Sequence, residues 1–189
     1  NADPILSIIA ALNTSETYWV YSQTYSDSFV LKTDRYNYNV SAMCPRINMK
    51  NISDNEYNYT KSFFLFGDLM IENNSAEFVY NDSINGHAPV SMLVSENGYK
   101  SPNYMMTLKY SDQGSHLCNI FFLFSLEAKL SDEFVGCEMY IKDRQLKEGP
   151  TPGCRTFYEV ECLGTKYQPY HYGCEKSVIT NTVENFAEL

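Results

Sequence analysis

The chain has 189 residues and a net charge of −9, with 14 Lys and Arg against 23 Asp and Glu. That length suits one domain, residues 1–189, and a composition 44% apolar and 20% charged excludes a disordered chain. The acidity excludes a phosphate-gripping surface, so no nucleic-acid partner is expected. The longest apolar run, Ile120-Phe121-Phe122-Leu123-Phe124, is too short to enter a bilayer as a helix.

At the start, Asp3 and Pro4 supply a cap and a first turn. Ile5, Ile8, Ile9 and Leu12 recur at helical spacing, so residues 1–16 read as a lead-in and one short helix. Asn1-Ala2-Asp3-Pro4 resembles a mature terminus left by signal cleavage.

From 17 to 141 the pattern is aromatic and β-branched runs broken by Asn, Asp, Gly and Ser. Strands are expected over Thr17–Tyr25, Tyr38–Asn48, Tyr57–Phe66, Ala76–Tyr80, Ala88–Ser95, Tyr104–Ser111, Leu117–Leu126 and Glu133–Ile141. Breaks are expected at Asn73-Asn74, Asn85-Gly86, Asn97-Gly98 and Asp112-Gln113-Gly114. Eight strands with hairpin-length links predict an all-β fold, an up-and-down barrel or a sandwich. Thr151-Pro152 then opens a helix over 151–164 carrying Cys154, Phe157, Tyr158 and Cys162, and 175–189 reads as a polar tail.

Six cysteines (Cys44, Cys118, Cys137, Cys154, Cys162, Cys174) without any C-x-x-C pair favour disulfides, whose pairing spacing alone does not give. Sequons at Asn13, Asn39, Asn51, Asn58, Asn73 and Asn81 add N-glycosylation to that picture. Together they predict a secreted protein.

No catalytic signature is present, so the chain reads as a non-enzyme with no cofactor and no metal. His87, His116 and His171 are far apart. His171 and Cys174 have ligand-like spacing, but a disulfide at Cys174 is the better use of it. Asp112 and Glu133 read as solvated loop charges.

Cys118-Asn119-Ile120, then Glu138-Met139-Tyr140, then Cys154 resemble the motif of tick salivary lipocalins of the histamine-binding type. Tyr110-Ser111-Asp112 and Tyr18-Trp19 add to the likeness, with Met139 in place of the usual Leu. The resemblance spans nearly the whole chain. It implies an eight-stranded antiparallel lipocalin barrel (17–141) with the C-terminal helix packed outside, and bridges Cys118–Cys154 and Cys44–Cys174, leaving Cys137–Cys162.

With Cys118 and Cys137 facing that helix, alternation turns Asn119, Phe121, Leu123, Glu138 and Tyr140 inward. Alignment to the family adds Trp19, Tyr21 and Tyr25, and also Tyr104, Met106 and Leu108, as cavity residues. The implied activity is monomeric capture of a small host mediator from tick saliva, to suppress host inflammation or immunity. Phe121, Leu123, Met106 and Leu108 lean the reading to an apolar ligand (eicosanoid, fatty acid or sterol), with Arg35 near the mouth as a carboxylate partner. The alternative is histamine or serotonin held by Glu138, since a buried ammonium needs an anionic partner. A third reading is an immunomodulator that binds a host protein or cell.

Overall fold

The computed structural model describes residues 5–80, 88–127 and 133–175. Eight antiparallel strands close into a barrel in the order β1-β10-β9-β8-β7-β6-β5-β4. They are β1 (Tyr18–Gln23), β4 (Met43–Ile52), β5 (Glu56–Leu65), β6 (Asp68–Val79), β7 (Ser91–Ser95), β8 (Tyr104–Ser111), β9 (Cys118–Ser125) and β10 (Glu133–Lys142). The expected architecture is the observed one, with two local differences.

The first concerns the segment read as one strand from Tyr38 to Asn48. Its start, β3 (Asn37–Val40), pairs with β2 (Phe29–Lys32) in a separate hairpin, and the barrel strand begins only at Met43. Phe29, Val30, Leu31 and Tyr38 on this hairpin are exposed. The second concerns β6, which begins at Asp68 rather than Ala76. The chain turns at Phe66-Gly67, both with positive φ (52° and 81°), joining Leu65 directly to Asp68 across the hairpin. That geometry matches a two-residue hairpin loop. Asn74 is no break: its side chain is buried, and its Oδ1 accepts the Asn97 N–H at 3.1 Å.

The short helix α1 (Ile8–Leu12) is capped by Ser7, whose hydroxyl accepts the Ala10 N–H at 3.1 Å. Asp3 and Pro4, expected to begin it, lie outside the described residues. Ile8, Ala11 and Leu12 bury against the interior, and Tyr18 Oη donates to Ala11 O at 2.6 Å, so α1 closes one end of the barrel. Inside that end, Tyr18, Tyr57, Met92, Val94, Leu108 and Phe121 are fully buried together, so this part of the lumen is packed core.

The second helix, α2 (Pro152–Glu161), lies outside the wall of β9 and β10. Its Thr151 N-cap is held by Asp112, which accepts the Thr151 hydroxyl at 2.8 Å and the Cys118 N–H at 2.9 Å. Asp112 is thus a structural anchor at the closed end, whereas Glu133 begins β10 at the open end. The disulfides are Cys44–Cys174 and Cys118–Cys154, the two that the family resemblance implies, and Cys137–Cys162, the pair then left. Cys44 and Cys174 lie beside His171, but both sulfurs are committed to their bridge. Asn13, Asn39, Asn51 and Asn73 are exposed, and Asn58 is half-buried with its amide donating to Asn51 Oδ1 at 2.8 Å. Asn81, His87 and the tail beyond 175 lie outside the described residues.

Candidate functional site

The open half of the barrel holds a cavity of about 500 Å³, a volume ordinary for a small-molecule site. Its chemistry is set by charge. Asp27, Glu72, Glu96, Glu127 and Glu138 line it, with Lys61 as the cation among the described lining residues. Tyr25, Phe63, Tyr99 and Tyr104 supply aromatic surface.

Glu138 sits at the floor, 2% exposed. Tyr140 donates to its Oε2 at 2.5 Å, and Tyr25 donates to its Oε1. Burial raises the Glu138 pKa, while Lys61 and the two phenols act in the opposite sense. Each carboxylate oxygen keeps a lone pair beyond the phenol bond, so Glu138 can still accept from a ligand. Burial also raises Glu96, reinforced by Glu72 and opposed by Lys61. Burial alone would lower the Lys61 pKa, yet Glu138, Asp27 and Glu96 hold it above the ordinary value, so the ammonium stays charged.

Of the residues expected to face inward, Tyr25, Tyr104, Leu123 and Glu138 line this cavity. Met106, Leu108, Phe121 and Tyr140 also point inward, but they belong to the packed interior core. Asn119 is buried at the closed end, where its Oδ1 accepts from Ser111 at 2.6 Å and its Nδ2 donates to His116 O at 3.0 Å. Arg35 lies exposed in the β2–β3 turn and is not among the cavity residues.

Trp19 and Tyr21 are corrections, because both lie on the outer face. The indole of Trp19 donates to Asp143 Oδ1 at 2.9 Å and meets Tyr170 edge-on, with the Arg46 guanidinium 5.4 Å from its ring centre. Tyr21 stacks on Tyr170 with ring centres 5.4 Å apart. The physical reason is a β-bulge between Val20 and Ser22. Before it, Tyr18 and Val20 face inward; the extra residue then shifts the alternation, so Tyr25 faces inward again.

Sequence reasoning missed Asp27, Lys61, Glu72 and Glu96. For Lys61 a signal existed: Tyr57, Tyr59, Lys61 and Phe63 alternate along β5, and the two tyrosines stack inside the barrel at 4.8 Å. A lysine in that series is an inward lysine.

A closed eight-stranded barrel with one plugged end, an open-end cavity and an outer helix has the lipocalin-type architecture. The sequence model of the tick histamine binding protein family matches residues 5–176, and the chain belongs to that family. Among solved structures it is similar to japanin from Rhipicephalus appendiculatus, described as bound to cholesterol. That match has 13% identity and a TM-score of 0.48, covering 86% of this chain and 95% of that one. No curated protein matches.

Proposed function

We propose that this protein is secreted in tick saliva as a glycosylated monomer and sequesters a small cationic amine of the host, in the class of histamine and serotonin. It acts by holding its ligand, without transforming it. The observation that carries this reading is the charge of the cavity wall: five carboxylates against Lys61, interleaved with tyrosines. A cationic amine would find both an anionic partner and aromatic faces there.

An apolar ligand is less well matched. Of Met106, Leu108, Phe121 and Leu123, on which a lipid reading rests, only Leu123 is among the cavity residues. A sterol or fatty acid would cover ionised carboxylates without replacing their water, which is costly. A second reading, contact with a host protein, draws on the β2–β3 hairpin, which presents Phe29, Val30, Leu31 and Tyr38 to solvent beside the mouth.

Native mass spectrometry of the deglycosylated protein, before and after organic extraction, tests the choice. A clean apo mass that takes up histamine or serotonin, but not arachidonate or cholesterol, is the expected result. An adduct of a few hundred daltons that extracts into solvent would replace the amine with a lipid.

A further inference from the structure

The amine reading leaves one group unexplained: the cavity already contains an ammonium. Lys61 enters from β5, and its direct cross-strand partner on β6 is Glu72. Four of the five carboxylates form two groups, and the fifth, Glu127, is exposed just past β9. Glu138 and Asp27 share one wall, where Tyr25 bonds Glu138 and Gln23 Nε2 donates to Asp27 Oδ2 at 3.0 Å. Glu72 and Glu96 share the other, with the Glu96 N–H bonded to Asn103 Oδ1 at 3.1 Å. Lys61 feels Glu138, Asp27 and Glu96 together. Yet the ion pairs within 4.0 Å among the described residues both belong to Glu16. The Lys61 ammonium is therefore not fixed to one carboxylate, and its four-carbon stem can swing within the cavity.

We infer that Lys61 is a tethered occupant of the pocket, which makes the site selective for ligands bearing a single ammonium. This rests on the amine reading. When a ligand ammonium settles on the Glu138–Asp27 wall, like-charge repulsion drives the Lys61 head to its neighbour Glu72 and to Glu96. That wall is then spent. Lys61 there offsets the wall's negative charge, so a second cation gains less from it. A ligand with ammonium groups at both ends must share it with Lys61, and is refused.

The test compares phenethylamine with 1,4-bis(aminomethyl)benzene by calorimetry at pH 7.4, two probes of similar size and different charge. Wild type is expected to prefer the monoamine by about tenfold or more, the order of one unit charge at close range. Lys61→Met should tighten the diamine by a similar factor and erase the preference, Lys61→Gln should do the same, and Lys61→Arg should retain it. If phenethylamine binds wild type but neither neutral variant gains diamine affinity while keeping the wild-type melting temperature, the tether is wrong and the amine reading stands. If neither probe binds any of these proteins, the amine reading falls and takes the inference with it.

Discussion

Tyr140 donates a 2.5 Å hydrogen bond to Glu138 Oε2 from two residues along the same strand. Their side chains share the inner face of β10, so the strand carries both the buried acid and a donor that steadies it. A carboxylate this deep is costly without such partners. The barrel thus keeps a carboxylate at a depth where an apolar side chain would cost less.

Removing that charge should not weaken the fold. Burial raises the Glu138 pKa in the folded state. The folded protein thus binds the proton more tightly than the unfolded chain, and stability is lost as pH rises from the ordinary Glu pKa through the raised one. Glu138→Gln should melt at or above the wild-type temperature at pH 7.5, with any advantage gone by about pH 4. The amide can accept from one tyrosine and donate to the other. Thermal denaturation at both pH values checks this; a variant that melts several degrees lower at pH 7.5 would mean that the carboxylate is structural.

Amine affinity should depend on the same proton. A bound ammonium favours ionised Glu138, so binding pulls the raised pKa down and releases a proton near and below it. Affinity should be flat at higher pH, then fall as pH drops through the raised pKa, by up to about tenfold per unit. Calorimetry in buffers of different ionisation enthalpy counts the protons. A profile flat down to the ordinary carboxylate range would contradict the assignment.

Filling the cavity and overfilling the core should have different effects. Both belong to the buried interior cluster, but Leu123 also borders the cavity and Met106 does not. Leu123→Trp should reduce binding of an indole-sized ligand at a smaller cost in stability, because its side chain has open space on the cavity side. Met106→Trp should destabilise by roughly 1–3 kcal/mol through overpacking. Melting temperatures and ligand titrations on the two variants separate the effects; the reverse pattern would show that the cavity reaches deeper than the structure places it.

The one tryptophan should be silent to ligand. Trp19 is on the outer face against Tyr170, Arg46 and Asp143. Its selectively excited emission should be unchanged on saturation with an amine, and should shift in Asp143→Asn, where the indole N–H loses its ionised acceptor. A strong ligand-induced quench would place Trp19 at the cavity.

The barrel was readable because its wall strands are aromatic and β-branched runs separated by Asn, Asp, Gly and Ser, with inward alternation plain in Tyr57, Tyr59 and Phe63. The Cys118, Glu138 and Cys154 motif supplied the family, and with it the bridges. Two kinds of information were not local. The β-bulge at Tyr21 changes which side of β1 faces inward, and no propensity marks it, so Trp19 and Tyr21 were assigned to the wrong face while Tyr25 was not. The two acidic walls come from β1's exit, β6, β7's exit and β10, and they meet only when the sheet closes. Asp27 and Glu96, read one at a time, look like loop charges.

Under the proposed function, the cavity holds a cationic amine through Glu138. Titrating histamine and serotonin separately into wild type and Glu138→Gln at pH 7.5 by calorimetry tests it most directly. Saturable binding of at least one amine to wild type is expected, weakened by a hundredfold or more in the variant, consistent with loss of about 3 kcal/mol from a buried ion pair. Equal affinity in the two proteins, or no binding of either amine to wild type, would contradict it.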